Sequence, residues 1–204
     1  EIKLKRVNRP LQIGITGGIG SGKSLICKIF QSFGVPIYDA DNHAKNLMTT
    51  DVILVDQIKK EFGTLSYNEK GDLNKMYLSE VAFNDAAKLT KLNSLVHPRV
   101  AIEYSHWLKK YSGSHYIIKE AALLFESGSF ELLDKIIVVK AHEKLRVTRV
   151  LKRDPQRTEE EVLKIIRNQM AEEEKLKRAD FIIQNNETEL VIPQILKLHE
   201  QWAG

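Results

Sequence analysis

The sequence predicts an α/β fold: a parallel sheet sandwiched in three layers, with a helical insertion and a helical lid. Three observations predict it. Apolar runs of strand length recur at Leu11–Thr16, Val35–Tyr38, His115–Ala121, Lys135–Val139 and Phe181–Gln184. Between them lie stretches with apolar residues at helical spacing, and strands alternating with helices build a parallel sheet with right-handed crossovers. The run Lys135–Val139 (KIIVV) is almost wholly β-branched, as a strand covered on both faces requires.

The first strand leads into the most informative stretch. Gly17, four residues, then Gly22-Lys23-Ser24 is the phosphate-loop pattern, and its context agrees. Behind it Ile26, Ile29, Phe30 and Phe33 fall on one helical stripe. Gly17, Gly18, Gly20 and Gly22 let successive N–H groups curl around an anion. The helix opening near Lys23 adds unpaired N–H donors and the positive end of its dipole. Lys23 brings a point charge to the β- and γ-phosphates, and the Ser24 hydroxyl suits a Mg²⁺ ion. A tight strand-to-helix turn carrying Lys-Ser by coincidence is the bland alternative. Strand and helix flanking the loop favour a nucleoside triphosphate.

Composition narrows the class. The 204 residues suffice for a compact core with modest insertions. Lysine and arginine number 31 against 27 acids, a net charge of +4 that suits anionic small molecules. With no dense basic tract interleaved with aromatics, no nucleic-acid partner is expected. The single cysteine, Cys27, excludes an internal disulfide, suits a reducing cytoplasm, and reads as a small buried residue. No apolar run reaches membrane-spanning length, so no membrane association is expected. Residues 1–10 are polar and basic, without the apolar centre of a signal peptide, and read as an N-terminal extension. There is no internal repeat or low-complexity linker, and no obligate protein partner is evident.

In chain order, Gly34 ends the first helix and the second strand runs into Asp39-Ala40-Asp41. Carboxylates at the C-terminal end of a strand lie where open α/β sheets bind ligands. One can orient a substrate hydroxyl and take its proton while another assists Mg²⁺ through water; either also suits a helix N-cap. Residues 42–111 then read as a helical substrate domain. There Gly63 and Gly71 bracket a polar loop, and His97-Pro98 interrupts the helices, with Pro98 suited to a first helical position. His97 and Arg99 are its candidate binding residues, with a cap and a solvated arginine as the alternatives. Residues 11–41 and 112–204 form the nucleotide-binding core, with the lid at about 146–177. His142–Arg153 carries Arg146, Arg149 and Arg153, Asp154-Pro155 breaks it, and Thr158 to Glu161 is a capping box. Arginines on such a lid can reach phosphoryl oxygens on closure, and spacing does not say which. Thr188–Trp202 closes the chain as an amphipathic helix.

The separated motifs Thr16–Ser24, Asp39-Ala-Asp41, His97-Pro98, Leu123-Leu-Phe-Glu126, Arg149 with Arg153-Asp154, Gln169, and Ala179-Asp180 followed by Ile183 and Asn185 resemble the dephospho-coenzyme A kinase family, over Gln12 to about Trp202. The resemblance implies a P-loop kinase core that uses ATP with Mg²⁺ to phosphorylate the ribose 3′-hydroxyl of dephospho-coenzyme A. It implies Asp41 as catalytic base, with Lys23 and Arg149 stabilising the transferring phosphoryl group and Ser24 on the metal. ATP contacts are implied at Gly18, Gly20, Ser21, Gly22, Lys23, Ser24, Leu25, Arg149 and Asn185, and substrate contacts at Asp39, Asp41, His97 and Arg99. Three positions depart from the family pattern: Leu25 for threonine, Ala122 for proline before Leu-Leu-Phe-Glu, and Lys75 for arginine. Two other readings share part of this pattern. A kinase for a nucleoside monophosphate or a sugar would share the loop, although a substrate domain containing His97-Pro98 argues against it. A GTPase switch would carry Asp-x-x-Gly and Asn-Lys-x-Asp, and the sequence has neither.

Overall fold

The structure is a computed structural model that describes residues 9–83 and 85–203; positions 1–8 of the expected N-terminal extension lie outside the described residues. The chain forms two compact units. One comprises the residues up to Asp39 together with those from Tyr111 onward, and the other is Ala40–Lys110.

The first unit is a five-stranded, all-parallel sheet of β1 (Leu11–Thr16), β2 (Ile37–Asp39), β3 (Tyr116–Glu120), β4 (Lys135–Lys140) and β5 (Phe181–Gln184), with flanking helices. The spatial order β2-β3-β1-β4-β5 puts β1 at the centre. The connection from β1 runs to the β2 edge and the one from neighbouring β3 runs to β4 on the opposite side, so the C-terminal ends of β1 and β3 flank the switch point where such sheets open a crevice. The phosphate loop follows there. Ile13 and Ile15 of β1 point into one apolar layer with Ile118, Ile137, Val139 and Ile183. Helix α1 (Lys23–Ser32) packs Ile26, Cys27 and Phe30 on that layer, beside Ile195 and Leu198 of α9 (Val191–Ala203). The second strand begins two residues later than expected: Val35 and Pro36 lead out of the turn after α1, the Pro36 carbonyl accepts from Ile118 N–H (3.0 Å), and the paired register with β3 runs from Ile37. This unit also carries α6 (Glu143–Arg153), α7 (Glu159–Asn168) and α8 (Glu172–Lys177). The expected capping box is present at Thr158 and Glu161, bonded reciprocally at 3.2 and 2.8 Å.

The second unit is helical: α2 (Ala40–Thr50), α3 (Val52–Phe62), α4 (Lys75–Leu78), which runs on into a single π-type turn, and α5 (Ala86–Lys110). Its core gathers Met48, Leu54, Ile58, Phe62, Leu78, Leu92 and Val96. The polar loop between Gly63 and Gly71 contains a 3₁₀ turn at Thr64–Ser66 and a Tyr67–Leu73 antiparallel bridge. One expectation is corrected. His97-Pro98 does not divide two helices, and Pro98 lies inside the 25-residue α5. Pro98 has no N–H to give the turn before it. Leu92 and Val96 before it and Tyr104 after it are buried, however, and that packing keeps both halves in one rod.

Candidate functional site

The loop between β1 and α1 owes its shape to what lies against it. Gly20 (φ 77°) and Gly22 (φ 94°) sit in the left-handed region that side chains disfavour. A Cβ on Gly20 would also strike the Arg146 backbone, and one on Gly22 the Asn185 amide. Glycine is needed here for space as much as for angle. Gly22 precedes α1, whose first turn contains no acid, so its positive end is uncompensated and suits an anion. Lys23 folds over the loop, its ammonium donating to the carbonyls of Gly17 (3.0 Å) and Gly18 (3.5 Å).

Below the loop, oxygen ligands converge. Asp39 and Glu120 pair in register at the ends of β2 and β3, so their side chains leave the same face of the sheet. The Ser24 hydroxyl donates to Glu120 Oε1 at 2.8 Å. Glu120 is buried, and burial pushes its carboxyl above the ordinary range, helped by the negative charge of Asp39 and opposed by the Ser24 hydrogen bond. Cys27 is buried beside them; burial first, then Glu120, pushes its thiol up, which makes it unreactive. Among the described residues, no three His, Cys, Asp or Glu side chains are grouped to cage a metal. A hydroxyl and two carboxylates fit Mg²⁺, which takes hard oxygen ligands and fills its remaining positions with water and phosphate.

The other expected nucleotide contacts are also in this unit, with qualifications. The Asn185 side chain is a brace, its amide donating to the Ser21 carbonyl (2.8 Å) while its backbone N–H reaches Lys140 (2.8 Å). Leu25 N–H donates to the Gly22 carbonyl (3.1 Å), a helix-opening bond that competes with any phosphate contact. Ser21 N–H likewise reaches Gly18 O (3.1 Å). Arg149 uses one nitrogen for both the Asn185 carbonyl and Glu187 (3.0 Å each), and its NH1 is buried without a hydrogen-bond partner. A buried guanidinium nitrogen with unused donors is what a phosphoryl oxygen would satisfy. Arg153 is turned outward and paired with Asp154, so it is the solvated member of the three arginines.

The helical unit holds the rest. Asp41 is exposed in the first turn of α2, where its charge complements the dipole. The helix begins at Ala40, so the cap position falls to Asp39 and not to Asp41. His97 is exposed on α5. Arg99 is committed locally, its Nε and NH2 both on Asp51 Oδ2 (2.7 and 2.6 Å). Asp51 in turn caps α3 through Ile53 and Leu54 N–H. Burial pushes the Asp51 carboxyl up, but those N–H bonds and Arg99 outweigh it and hold the group low.

Arg146, one of the three candidate lid arginines, and the motif residues Gln169 and Glu126 lie beside the loop with partners that the sequence does not announce. Arg146 is buried, donates from Nε to the Ile19 carbonyl (3.1 Å) and from NH1 to Glu172 (2.8 Å), and lies over Gly18. Gln169 accepts from Ile19 N–H at 3.0 Å. Glu126, the last residue of Leu-Leu-Phe-Glu, accepts from Met170 N–H (2.9 Å) and forms an ion pair with buried Lys175 (3.0 Å). Burial raises the Glu126 carboxyl, and those two partners more than reverse it. A cleft of about 300 Å³ opens here between Gly18, Arg146, Gln169 and Lys175. Arg146 and Gln169 lie more than a hundred positions from the loop in sequence, so no local pattern announces their contact with it.

Comparison with known proteins agrees with this geometry. The family model for dephospho-CoA kinase (CoaE) matches residues 11–190. A dephospho-CoA kinase of Chlorobium chlorochromatii is 39% identical over 199 residues, covering 94% of this chain and 93% of that one. A Thermus thermophilus crystal structure superposes with a TM-score of 0.82 at 32% identity, over 95% of this chain and 96% of the other. The dephospho-CoA kinase from Campylobacter jejuni does so with a TM-score of 0.69 at 25% identity, over 94% and 96%. A sheet with the phosphate loop at its switch point, shared over nearly full length with kinases of that name, leads to one conclusion: the chain belongs to the dephospho-CoA kinase family.

Proposed function

We propose that this chain transfers the γ-phosphoryl group of ATP to the ribose 3′-hydroxyl of dephospho-coenzyme A, giving coenzyme A and ADP. The carrying observation is the Ser24–Glu120 hydrogen bond beneath a phosphate loop in a chain of this family, which joins the loop to the acidic strand ends. Lys23 leaves the carbonyls of Gly17 and Gly18 for the β- and γ-phosphates, a stronger, charge-assisted contact. The N–H groups around Gly20, Gly22 and Ser24 receive the phosphate oxygens, while Asn185 holds the loop from behind. Ser24, Asp39 and Glu120 would hold Mg²⁺. Bound there, the ion neutralises charge on the β- and γ-phosphate oxygens.

In the transfer the substrate hydroxyl attacks the γ-phosphorus, its proton passes to the Asp41 carboxylate, and the bond to the ADP oxygen breaks. Exposure in the first turn of α2 supports Asp41 in this role, because a substrate hydroxyl can approach it from solvent. The unused NH1 of Arg149 stabilises the transferring group as the helices from α6 to α8 act as a lid. His97 contacts the acceptor, and Arg99 acts mainly by holding Asp51 and the start of α3. The test is an acceptor panel with labelled ATP. We expect dephospho-coenzyme A to be phosphorylated far faster than nucleoside monophosphates or sugars. Preference for a nucleotide acceptor, or tight GTP binding without transfer, would overturn the reading.

A further inference from the structure

We propose that Arg146 and Gln169 are positioning residues, a two-sided latch on Ile19 that sets the phosphate loop in its anion-binding shape and ties it to the α7–α8 joint. Ile19 stands between Gly18 and Gly20. Glycine on both sides leaves the flanking peptides almost unrestrained by their own sterics, so their orientation must be imposed from outside. The structure supplies three restraints at this one residue. Gln169 takes the N–H, Arg146 takes the carbonyl, and the side chain packs against the apolar cluster of α6 and α7 formed by Val147, Val150 and Val162.

Both polar restraints lead to the same place. Gln169 follows α7 directly, and Arg146 is itself held by Glu172, the first residue of α8. Glu126 grips the joint from its other side through Met170 N–H and Lys175. Arg146 is only 5% exposed, so its position is fixed by these partners and not by solvent. The planar fork is what allows one side chain to reach the Ile19 carbonyl and the Glu172 carboxylate together. A Cβ on Gly18 would displace the Arg146 guanidinium from this position. The loop and the joint therefore share one set of hydrogen bonds. Whatever closes the loop around phosphates also steadies the joint, and by linkage the reverse holds.

The proposal rests on the reading that this loop binds ATP. It is tested by ATP titration calorimetry and by steady-state kinetics on Gln169→Met and Gln169→Glu. Methionine keeps the volume but offers no oxygen, whereas glutamate still accepts from Ile19 N–H. With Gln169→Met, the dissociation constant and KM for ATP should rise roughly tenfold, the loss of about one good hydrogen bond. KM for dephospho-coenzyme A should stay unchanged, and Gln169→Glu should recover most of the loss. A lower melting temperature with both KM values unchanged would make the contact merely structural and overturn the latch. So would a Gln169→Glu variant no better than Gln169→Met. In the wild-type chain, ATP should slow hydrogen exchange at the Ile19 and Met170 amides together. Protection at Ile19 without Met170 overturns the coupling even where a variant fails to fold. Absence of ATP binding by the wild-type chain would overturn the nucleotide reading itself, a result distinct from failure of the latch.

Discussion

In the sheet unit, Glu120 is buried at a strand end with Ser24 bonded to it, and Lys23 is folded onto carbonyls of its own loop. In the helical unit, Asp41 and His97 stand exposed on helix surfaces, and Arg99 is drawn into a helix cap. The sheet unit holds Ser24 and Glu120 in place before any ligand arrives, and Lys23 need only exchange its loop carbonyls for phosphate oxygens. The helical unit presents Asp41 and His97 on its surface, as suits contacts made when an acceptor binds. Charge stabilisation should thus fail abruptly when a sheet-unit residue is changed. The helical unit should separate catalytic losses from structural ones.

The largest effect is expected at Lys23. Lys23→Ala should reduce kcat/KM by about a thousandfold, the upper range for deleting one preorganised donor, with the melting temperature nearly unchanged. The fold should survive because α1 is held by its buried residues Ile26, Cys27 and Phe30, and not by the Lys23 side chain. Unchanged turnover would remove Lys23 from the chemistry. In the other unit, Asp41→Asn should lower kcat by about a hundredfold or more, as for a lost general base. It should cost only about 0.3–1 kcal/mol of stability, the worth of a first-turn charge, measured by denaturant unfolding. Near-normal turnover would leave Asp41 a dipole partner and nothing else.

A smaller loss is expected at Arg149. Arg149→Lys keeps the charge but loses the fork, so kcat should fall about tenfold while ATP affinity changes little. Equal losses in calorimetry and turnover would make Arg149 a ground-state contact.

The remaining pair concerns stability. The carboxyl of Glu120 is raised in the folded chain, so between its unfolded and folded pKa values the native state binds more protons. Its contribution is therefore best below the ordinary carboxylate range and is lost as pH rises through the raised value. Glu120→Gln should melt higher than wild type at neutral pH, and the difference should vanish in acid, while activity is lost. A variant that melts lower at neutral pH would mean that the Ser24 bond outweighs burial. Asp51 runs the other way. Its carboxyl is lowered, so its contribution is present above the ordinary range and is lost as pH falls through the folded value. Arg99→Met should cost about 1 kcal/mol by unfolding and leave KM for dephospho-coenzyme A nearly unchanged. A large rise in that KM would return Arg99 to the acceptor.

By itself the sequence determined the strands, the phosphate loop and the capping box. Each is written in consecutive residues: KIIVV can only be a doubly covered strand, and Gly-Lys-Ser after an apolar run can hardly be another turn. Pro98 misled because a local rule met a long buried stripe, and burial of Leu92, Val96 and Tyr104 outweighed the missing hydrogen bond. Tertiary structure alone decided what the polar residues do. Arg146, Arg149 and Arg153 are the same residue type on one helix, yet one lies against the loop, one faces the Asn185 turn and one faces solvent. Their fates differ because each faces a different partner, and those partners (Ile19, Asn185 and Asp154) come from three separate parts of the chain. A hydrogen bond between positions 19 and 169 leaves no periodicity in the sequence, since it depends on the whole sheet between them being in place.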